Sequence, residues 1–150
     1  MEPQPSAPAA LGLLMYRAHQ LARARANQAA GPSGIELQHA GVLTAVREGR
    51  ARSQRELGTA LGIDKSTLVR IVDDLENRGL LLRRRTPNDR RTYEILITEE
   101  GERRLAEASA LFSDAMAGLL EVFTPEQQRQ LHELLDRFVT QSDRPTPSAP

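Results

Sequence analysis

Apolar residues recur at helical spacing along most of the chain and alternate in one short segment. Between residues 64 and 79 they recur at positions i, i+3, i+4 and i+7, which predicts an amphipathic helix. The apolar positions of this helix are Leu68, Ile71, Val72 and Leu75. At about 100° per residue, the opposite side of the helix faces away from the core. That side carries Ser66, Val69, Arg70 and Asp73.

A shorter helix precedes this one, and the turn between the two is tight. Ser53 and Glu56 form a capping box, which satisfies free backbone amides at a helix start. Gly62 supplies the left-handed residue that ends the short helix, and Asp64 can cap the next one. Gly79 ends that second helix. Two helices joined by so short a turn form a helix-turn-helix, a motif whose second helix enters the major groove of DNA.

A predicted β-hairpin follows directly. Residues 80–85 and 92–97 can form its strands, because Tyr93, Ile95 and Ile97 alternate toward one face. Turn formers fill positions 86–89. Five arginines crowd the strand end and the loop: Arg83, Arg84, Arg85, Arg90 and Arg91. Arginine suits the narrow, negative minor groove, so the hairpin indicates a winged helix, although a charge run alone also fits a solvated surface hairpin.

These segments resemble the core of the MarR family of bacterial transcriptional regulators. The matching segment is SQRELGTALGIDKSTLVRIVDDLENRGLL, and the wing pattern is Asp89, Arg90 and Arg91 followed by Ile95, Ile97, Thr98 and Gly101. The resemblance implies dimerising helices on both sides of the winged helix, and release from DNA by a small-molecule effector. The chain departs from the family at Gln38 and His39, because the family commonly has an aromatic residue after this glutamine.

Further helices are predicted on both sides of the winged helix. Residues 11–30 and 36–48 precede it. After it, Thr98 caps a helix that runs to about residue 122, and Thr124 with Gln127 forms a second capping box. The terminal helices carry more apolar surface than a winged helix of this size needs to cover. A homodimer interface is the predicted use of that surface, and folding back onto the same protomer is the alternative.

The predicted fold class is mainly α: a winged helix-turn-helix, α with a small β-hairpin wing, flanked by N- and C-terminal dimerisation helices. Residues 1–10 and 140–150, rich in Pro, Ser and Ala, are predicted to be disordered tails. Residues 11–34 form the N-terminal dimerisation helix and linker in this interpretation. Residues 35–98 form the DNA-binding region, and residues 99–139 the C-terminal dimerisation helices.

The formal net charge is zero, but the charges are unevenly distributed. Residues 50–92 hold eleven Lys and Arg against six acidic residues, whereas residues 93–150 hold five Arg against eleven acidic residues. Basic charge is therefore concentrated in the segment predicted to face DNA, where it can bind phosphates. The whole-chain charge hides this distribution.

Other functional classes lack support in the sequence. With no cysteine and three histidines, neither a disulfide framework nor a structural zinc site is expected. There is no glycine-rich phosphate loop and no nucleophile beside a histidine, so we predict no enzyme activity and no cofactor. The sequence has neither a signal peptide nor a membrane-spanning stretch, which predicts a cytoplasmic protein.

The predicted DNA contacts lie on the helix-turn-helix and the wing. They are Arg52, Gln54, Lys65, Ser66, Thr67, Arg70, Arg84, Arg85, Asp89, Arg90 and Arg91. We expect Arg70 to read bases or phosphates, and Arg91 to enter the minor groove with Asp89 holding it in place. Lys65, Ser66 and Thr67 are expected to contact phosphates.

The predicted partners are a palindromic operator in double-stranded DNA, a second copy of the chain and, from the resemblance, a small-molecule effector. Tyr16, His19 and His39 are the candidates for an effector pocket, although a lone histidine is more often packed or exposed. A winged-helix module for protein–protein assembly, its arginines serving an acidic partner, is the alternative function. A salt-dependent shift with duplex DNA would separate the two.

Overall fold

A computed structural model describes residues 7–49, 53–86 and 89–142, with the backbone alone for residues 89–92 and 142. These residues form helices α1 to α6 and one antiparallel sheet of two strands, which confirms the mainly α fold class with a β-hairpin wing. The elements are α1 Ala7–Ala30, α2 Leu37–Arg47, α3 Gln54–Leu61, α4 Lys65–Asn77, β1 Leu81–Thr86, β2 Asp89–Ile97, α5 Glu99–Leu120 and α6 Pro125–Ser142. A short 3-10 turn, Gly31–Ser33, follows α1.

One hydrophobic core joins α2, α3, α4, the hairpin and the first half of α5. Its largest fully buried side chains are Ile35, Val42, Leu43, Leu57, Leu68, Val72, Leu75 and Leu105. The apolar stripe predicted for α4 is confirmed, because all four of its residues are at most 2% exposed. Burial of this stripe fixes which side of α4 remains at the surface.

The first turn of α5 is fastened to the turn that follows α4. The Thr98 hydroxyl donates to the Gly79 carbonyl at 2.6 Å and accepts from the Gly101 amide at 3.0 Å. The Thr98 amide donates to the Leu80 carbonyl at 3.1 Å. The predicted cap of α5 is thus present, and it also ties this helix to the DNA-binding region.

The hairpin has two different faces. Leu81, Arg83 and Arg85 lie opposite Ile97, Ile95 and Tyr93, and the inner part of this face is buried at Leu81 and Ile95. Leu82 and Arg84 lie opposite Leu96 and Glu94 on the other face. The second strand begins at Asp89, earlier than the predicted residue 92, so strand pairing extends almost to the tip.

The terminal helices are longer than predicted. Residues 7–10, assigned to a tail from composition, are the first turn of α1, and residues 140–142 are the last turn of α6. The sequence Ala-Pro-Ala-Ala explains the first difference, because alanine has the highest helix propensity and proline is tolerated in a first helical turn. Residues 1–6 and 143–150 lie outside the described residues.

The chain divides into two compact units, Met1–Met116 and Ala117–Pro150. In the first unit, α1 leaves five large apolar side chains 54–61% exposed: Leu11, Leu13, Leu14, Tyr16 and Leu21. In the second unit, α6 leaves four side chains 45–58% exposed: Leu134, Leu135, Phe138 and Val139. The capping box of Thr124 and Gln127 at the start of α6 is present as predicted. None of the described helices is both long enough and apolar enough to cross a membrane.

Candidate nucleic-acid interface

The turn between α3 and α4 is short because a glycine lets the chain reverse closely. Gly62 has φ 61°, the left-handed conformation that favours glycine, and the Ile63 amide donates to the Gly58 carbonyl at 3.1 Å. Leu57 of α3 and Leu68 of α4 are both buried. These contacts hold the two helices in the helix-turn-helix arrangement.

The first turn of α4 is organised by Asp64. Its carboxylate accepts the Ser66 hydroxyl at 2.6 Å and the Thr67 amide at 3.0 Å. The hydrogen bond from Ser66, followed by those from Thr67, holds the pKa of Asp64 well below its ordinary value. The Ser66 hydroxyl is exposed, whereas Thr67 is half-buried and its amide is already used. The exposed Ser66 hydroxyl would have to exchange its bond to Asp64 before it could donate to a phosphate.

An open groove of about 540 Å³ runs between α3 and α4 on the exposed side. It is lined by Gln54, Arg55, Gly58, Thr59, Ile63, Lys65, Leu68 and Val69. The groove brings together two predicted DNA contacts, Gln54 and Lys65, from different helices. The Gln54 side-chain nitrogen is buried without a hydrogen-bond partner among the described residues, so it is an unused donor at the groove wall.

The exposed side of α4 continues past this groove. Lys65, Ser66, Val69 and Arg70 are all exposed there, within the first two turns of the helix. The N-terminal part of a recognition helix is the part that contacts base edges. Val69, 37% exposed, was placed on this side by its spacing but was not predicted as a contact. An apolar side chain among polar ones suits the methyl group of thymine.

Two of the predicted wing arginines point to opposite faces of the hairpin. Arg84 pairs across the strands with Glu94 at 3.0 Å, and its side chain remains 61% exposed. The Arg85 Nε donates to the Tyr93 hydroxyl at 3.2 Å, and its guanidinium lies 5.7 Å from the ring centroid. Both arginines are held by partners on β2, so each is oriented before any DNA arrives.

Arg83 behaves differently from the other wing arginines and was not among the predicted contacts. Its guanidinium bonds Glu76 and lies 2.5 Å from the Asp73 carboxylate, both on α4, while its amide donates to Glu76 at 3.2 Å. Burial lowers the pKa of Arg83, but the hydrogen bonds and charges of Asp73 and Glu76 outweigh it, and the pKa is raised overall. The spacing of Asp73 and Glu76 on one side of a helix was the available signal in the sequence.

Some predicted contacts have no described side chain. Arg52 lies outside the described residues. Asp89, Arg90 and Arg91 are in β2, but their side chains are not described. The role assigned to Arg91 in the minor groove, and that of Asp89 in positioning it, therefore stay predictions.

The three candidates for an effector pocket occupy different settings. Tyr16 and His19 are exposed on α1, and the Tyr16 hydroxyl accepts from Gln20 at 2.9 Å. His39 is largely buried, with both ring nitrogens engaged: Nδ1 accepts from the Glu36 amide at 3.1 Å, and Nε2 lies 3.5 Å from Asp74. Neither contact of His39 involves the other two candidates, so its described surroundings are those of a residue that links α2 to α4.

The electrostatics of His39 follow from this position. Burial lowers its pKa, the charges of Asp74 and Glu36 raise it in part, and Arg78 lowers it again, with a net decrease. Neutral imidazole is also what the cap of α2 requires, because Nδ1 must be unprotonated to accept a hydrogen bond. Among the described residues, no cluster of histidines and carboxylates could hold a metal ion.

Comparison with known proteins identifies the same architecture. Residues 33–92 match the MarR family model, a segment that runs from the end of the 3-10 turn into β2. A MarR-family transcriptional regulator from Rhodococcus sp. RHA1 is 28% identical, with a TM-score of 0.80 over 95% of this chain and 99% of that chain. CouR from Rhodococcus jostii RHA1, solved with p-coumaroyl-CoA, is 28% identical, with a TM-score of 0.75 over 97% and 100% of the two chains.

A third similar structure contains DNA. It is a cysteine-to-serine mutant of MarR from Escherichia coli complexed with operator DNA, 26% identical to this chain. Its TM-score is 0.75, over 85% of this chain and 92% of that chain. The family match covers the helix-turn-helix and most of the wing, and the structural matches extend over the flanking helices. Residues 33–92 thus match the MarR family, and nearly the whole chain is similar in fold to MarR-family winged-helix transcriptional regulators.

Proposed function

We propose that this DNA-binding regulator acts as a dimeric, sequence-specific repressor that reads a palindromic operator through α4 and the wing. The exposed side of α4 carries the proposal: Lys65, Ser66, Val69 and Arg70 lie within two turns, beside a groove that also presents Gln54. Cations and hydroxyl groups suit phosphates, whereas the arginine and the valine suit base edges. Such a mixture is what a helix in the major groove requires.

Dimerisation is supported by the apolar surfaces of the terminal helices. A protomer that leaves five large apolar side chains exposed on α1 and four on α6 has surface to cover. On each of these helices, considered by itself, several large apolar side chains exposed together favour an interaction site. A twofold dimer would place two copies of α4 on successive turns of one DNA face, which doubles the contacts and requires a palindromic site.

The wing supports a second set of contacts. Arg84 and Arg85 are oriented by Glu94 and Tyr93, and Arg91, which lies on β2, is predicted to enter the minor groove. Arginine is well suited to a narrow minor groove, whose potential is strongly negative. The wing arginines therefore add affinity and shape readout beyond that of α4.

A small-molecule effector is part of the proposal. The similar CouR structure contains p-coumaroyl-CoA. For this chain, Tyr16 and His19 keep exposed polar groups on α1, whereas His39 is already engaged by Glu36 and Asp74. An effector that binds the DNA-free conformation more tightly would shift the population away from the operator. A regulator of this kind acts in the cytoplasm, where it meets the chromosome.

Selection of bound fragments from the source genome, followed by fluorescence anisotropy, tests the proposed function. We expect one enriched palindromic sequence, bound more tightly than a scrambled duplex of equal length. Arg70→Ala should weaken binding to that sequence by about tenfold or more, because a good arginine contact to a base contributes about 1–3 kcal/mol.

Arg103→Ala is the matched control, since Arg103 is an exposed arginine on α5 that pairs with Glu100 and Glu107. It should leave operator binding close to that of the parent. Equal weakening of operator binding by Arg70→Ala and Arg103→Ala would show that binding depends on overall positive charge and not on a specific contact of Arg70. Failure to enrich any sequence, with retained binding to an acidic protein partner, would favour the protein–protein module.

A further inference from the structure

Besides the hydrophobic core that α4 shares with the hairpin, a charged side chain also links the wing to α4. Arg83, on the inner face of β1, reaches two carboxylates of α4 through its guanidinium and donates its own amide to one of them. Its side chain is 24% exposed, and its described contacts all go to Asp73 and Glu76. The neighbouring arginines bond partners on β2, so they do not restrain the wing relative to α4.

We propose that Arg83 is a positioning residue, which sets the wing at the angle from α4 needed for both to contact DNA at once. This inference rests on the proposed function. Arg83 itself does not need to touch DNA, because both ends of its guanidinium are committed to α4. It acts through the wing residues that lie farther along the strands.

The position of Arg83 along the strand shows why this polar anchor matters. The tip of the hairpin is about four residues beyond Arg83, or about 13 Å along a strand. A change of about 10° at Arg83 would move the tip by about 2 Å over that distance. Contacts that must be held within about 0.5 Å do not tolerate such a displacement. The wing arginines would then miss the minor groove while α4 still fitted the major groove.

The charges at this junction give Arg83 a second effect. Asp73 lies on the exposed side of α4, one turn beyond Arg70, and its side chain is half exposed. A free carboxylate there would face the DNA phosphates. By pairing with Asp73 and Glu76, Arg83 neutralises negative charge beside the reading face. If Arg83 positions the wing, removal of its partner Glu76 should weaken operator binding. If Arg83 only neutralises negative charge, removal of Glu76 should tighten operator binding.

Glu76→Ala is the decisive variant, because alanine favours the helix and Glu76 supplies two of the contacts to Arg83. Positioning predicts weaker operator binding, by about tenfold, which is the scale of one lost arginine contact to DNA. Simple electrostatics predicts tighter binding, since a negative charge is lost. Tighter or unchanged binding would overturn the proposal.

Glu107→Ala is the matched control. It removes a carboxylate on α5 that pairs with Arg103. Because this pair involves neither the wing nor α4, the substitution should leave operator binding unchanged or make it slightly tighter. Equal weakening by Glu76→Ala and Glu107→Ala would refute a specific role for the anchor to α4.

Arg83→Lys and Arg83→Gln test the residue itself. Lysine keeps the charge and one contact, so Arg83→Lys should recover part of the affinity that Arg83→Gln loses. In hydroxyl-radical footprints, Arg83→Gln should lose protection of the minor groove beside each half-site, while protection of guanine N7 from dimethyl sulfate in the major groove remains. Concentrations are corrected for the active fraction by titration, which removes the effect of partial unfolding. Uniform loss of both protections would show a general folding defect and overturn the proposal.

Amide hydrogen exchange without DNA keeps this inference separate from the proposed function. Glu76→Ala should speed exchange in β1 and β2 but leave α2 and α3 unchanged, because only the wing is released. If the parent protein binds no operator but Glu76→Ala still speeds exchange in the hairpin, the proposed function is refuted. The role of Arg83 as an anchor is then still supported. If exchange in the hairpin stays at the parent level, the anchor itself is refuted.

Discussion

The close approach between α5 and the turn after α4 leads to a quantitative prediction for Gly101. A Cβ atom added at this position would lie 2.2 Å from the Leu80 carbonyl oxygen and 2.8 Å from Ile97. Real Cβ atoms do not approach a backbone oxygen so closely, so Gly101→Ala must push the first turn of α5 away. The displaced carbonyl is the one that accepts the Thr98 amide at 3.1 Å.

The size of the effect follows from three contributions. Overpacking in a close-packed region costs about 1–3 kcal/mol. Loss of the hydrogen bond from Thr98 to Leu80 costs about 0.5–1.5 kcal/mol more. The higher helix propensity of alanine offsets up to about 1 kcal/mol of these two losses, relative to glycine. We therefore expect Gly101→Ala to lower the free energy of unfolding by about 1–3 kcal/mol.

Urea unfolding followed by circular dichroism, at one fixed protomer concentration, measures this change. With a denaturant slope of about 1–3 kcal/mol per molar urea, the midpoint should fall by about 1 M. Gly41→Ala is the control, because its Cβ would meet nothing within 4 Å in the interior of α2. It should match or exceed the stability of the parent. A Gly101→Ala protein as stable as Gly41→Ala would refute the reasoning.

Four further predictions concern DNA binding and pH. Arg70→Ala should reduce the preference for the true operator over a variant changed at the contacted base pair, and anisotropy titrations of both duplexes will show it; an unchanged preference would mean that Arg70 does not read bases. Arg91→Ala should leave the melting temperature nearly unchanged, weaken operator binding and reduce the salt slope by about one ion. Asp89→Ala should also weaken binding, whereas tighter binding would refute its positioning role. Because burial lowers the pKa of His39, the folded protein favours the neutral form, and stability should fall as the pH drops below about 6.5, where the unfolded chain takes up the proton. His39→Asn should remove that part of the pH dependence of the melting temperature, and a parent-like profile would contradict the assignment.

The sequence was sufficient for the local structure of the winged helix. The stripe of Leu68 and its neighbours predicted which side of α4 is buried, and the caps at Ser53, Asp64 and Thr98 lie where the residue types indicated. These features depend on spacing within one element. Residue type and position along the chain are therefore enough to predict the buried stripe and the helix caps.

Contacts between distant residues were not predictable in the same way. Arg83 was grouped with the other wing arginines, although it is bound by α4. Its role depends on the strand register and on the angle between hairpin and helix, neither of which is encoded by local spacing. His39 is a second example, since pairing with Asp74 places the ring between α2 and α4.

The sequence patterns also did not predict where the terminal helices begin and end. Residues 7–10 were assigned to a tail because they are rich in proline and alanine, a composition shared by disordered segments and first helical turns. The same helices show apolar stripes, but a stripe does not reveal which molecule covers it. The dimer interface therefore stays a proposal, supported by exposed side chains such as Leu14 and Phe138.

Binding to the selected operator with one half-site scrambled tests the central claim most directly. If two copies of α4 and the wing read one symmetric site, two protomers should bind the intact duplex. Scrambling one half-site should then lower the affinity by at least about tenfold, because each mismatched base pair costs about 1–3 kcal/mol. The logarithm of the affinity for the intact site should also fall linearly with the logarithm of the salt concentration. Equal affinities for the intact and scrambled duplexes at every salt concentration would contradict sequence-specific reading by this surface.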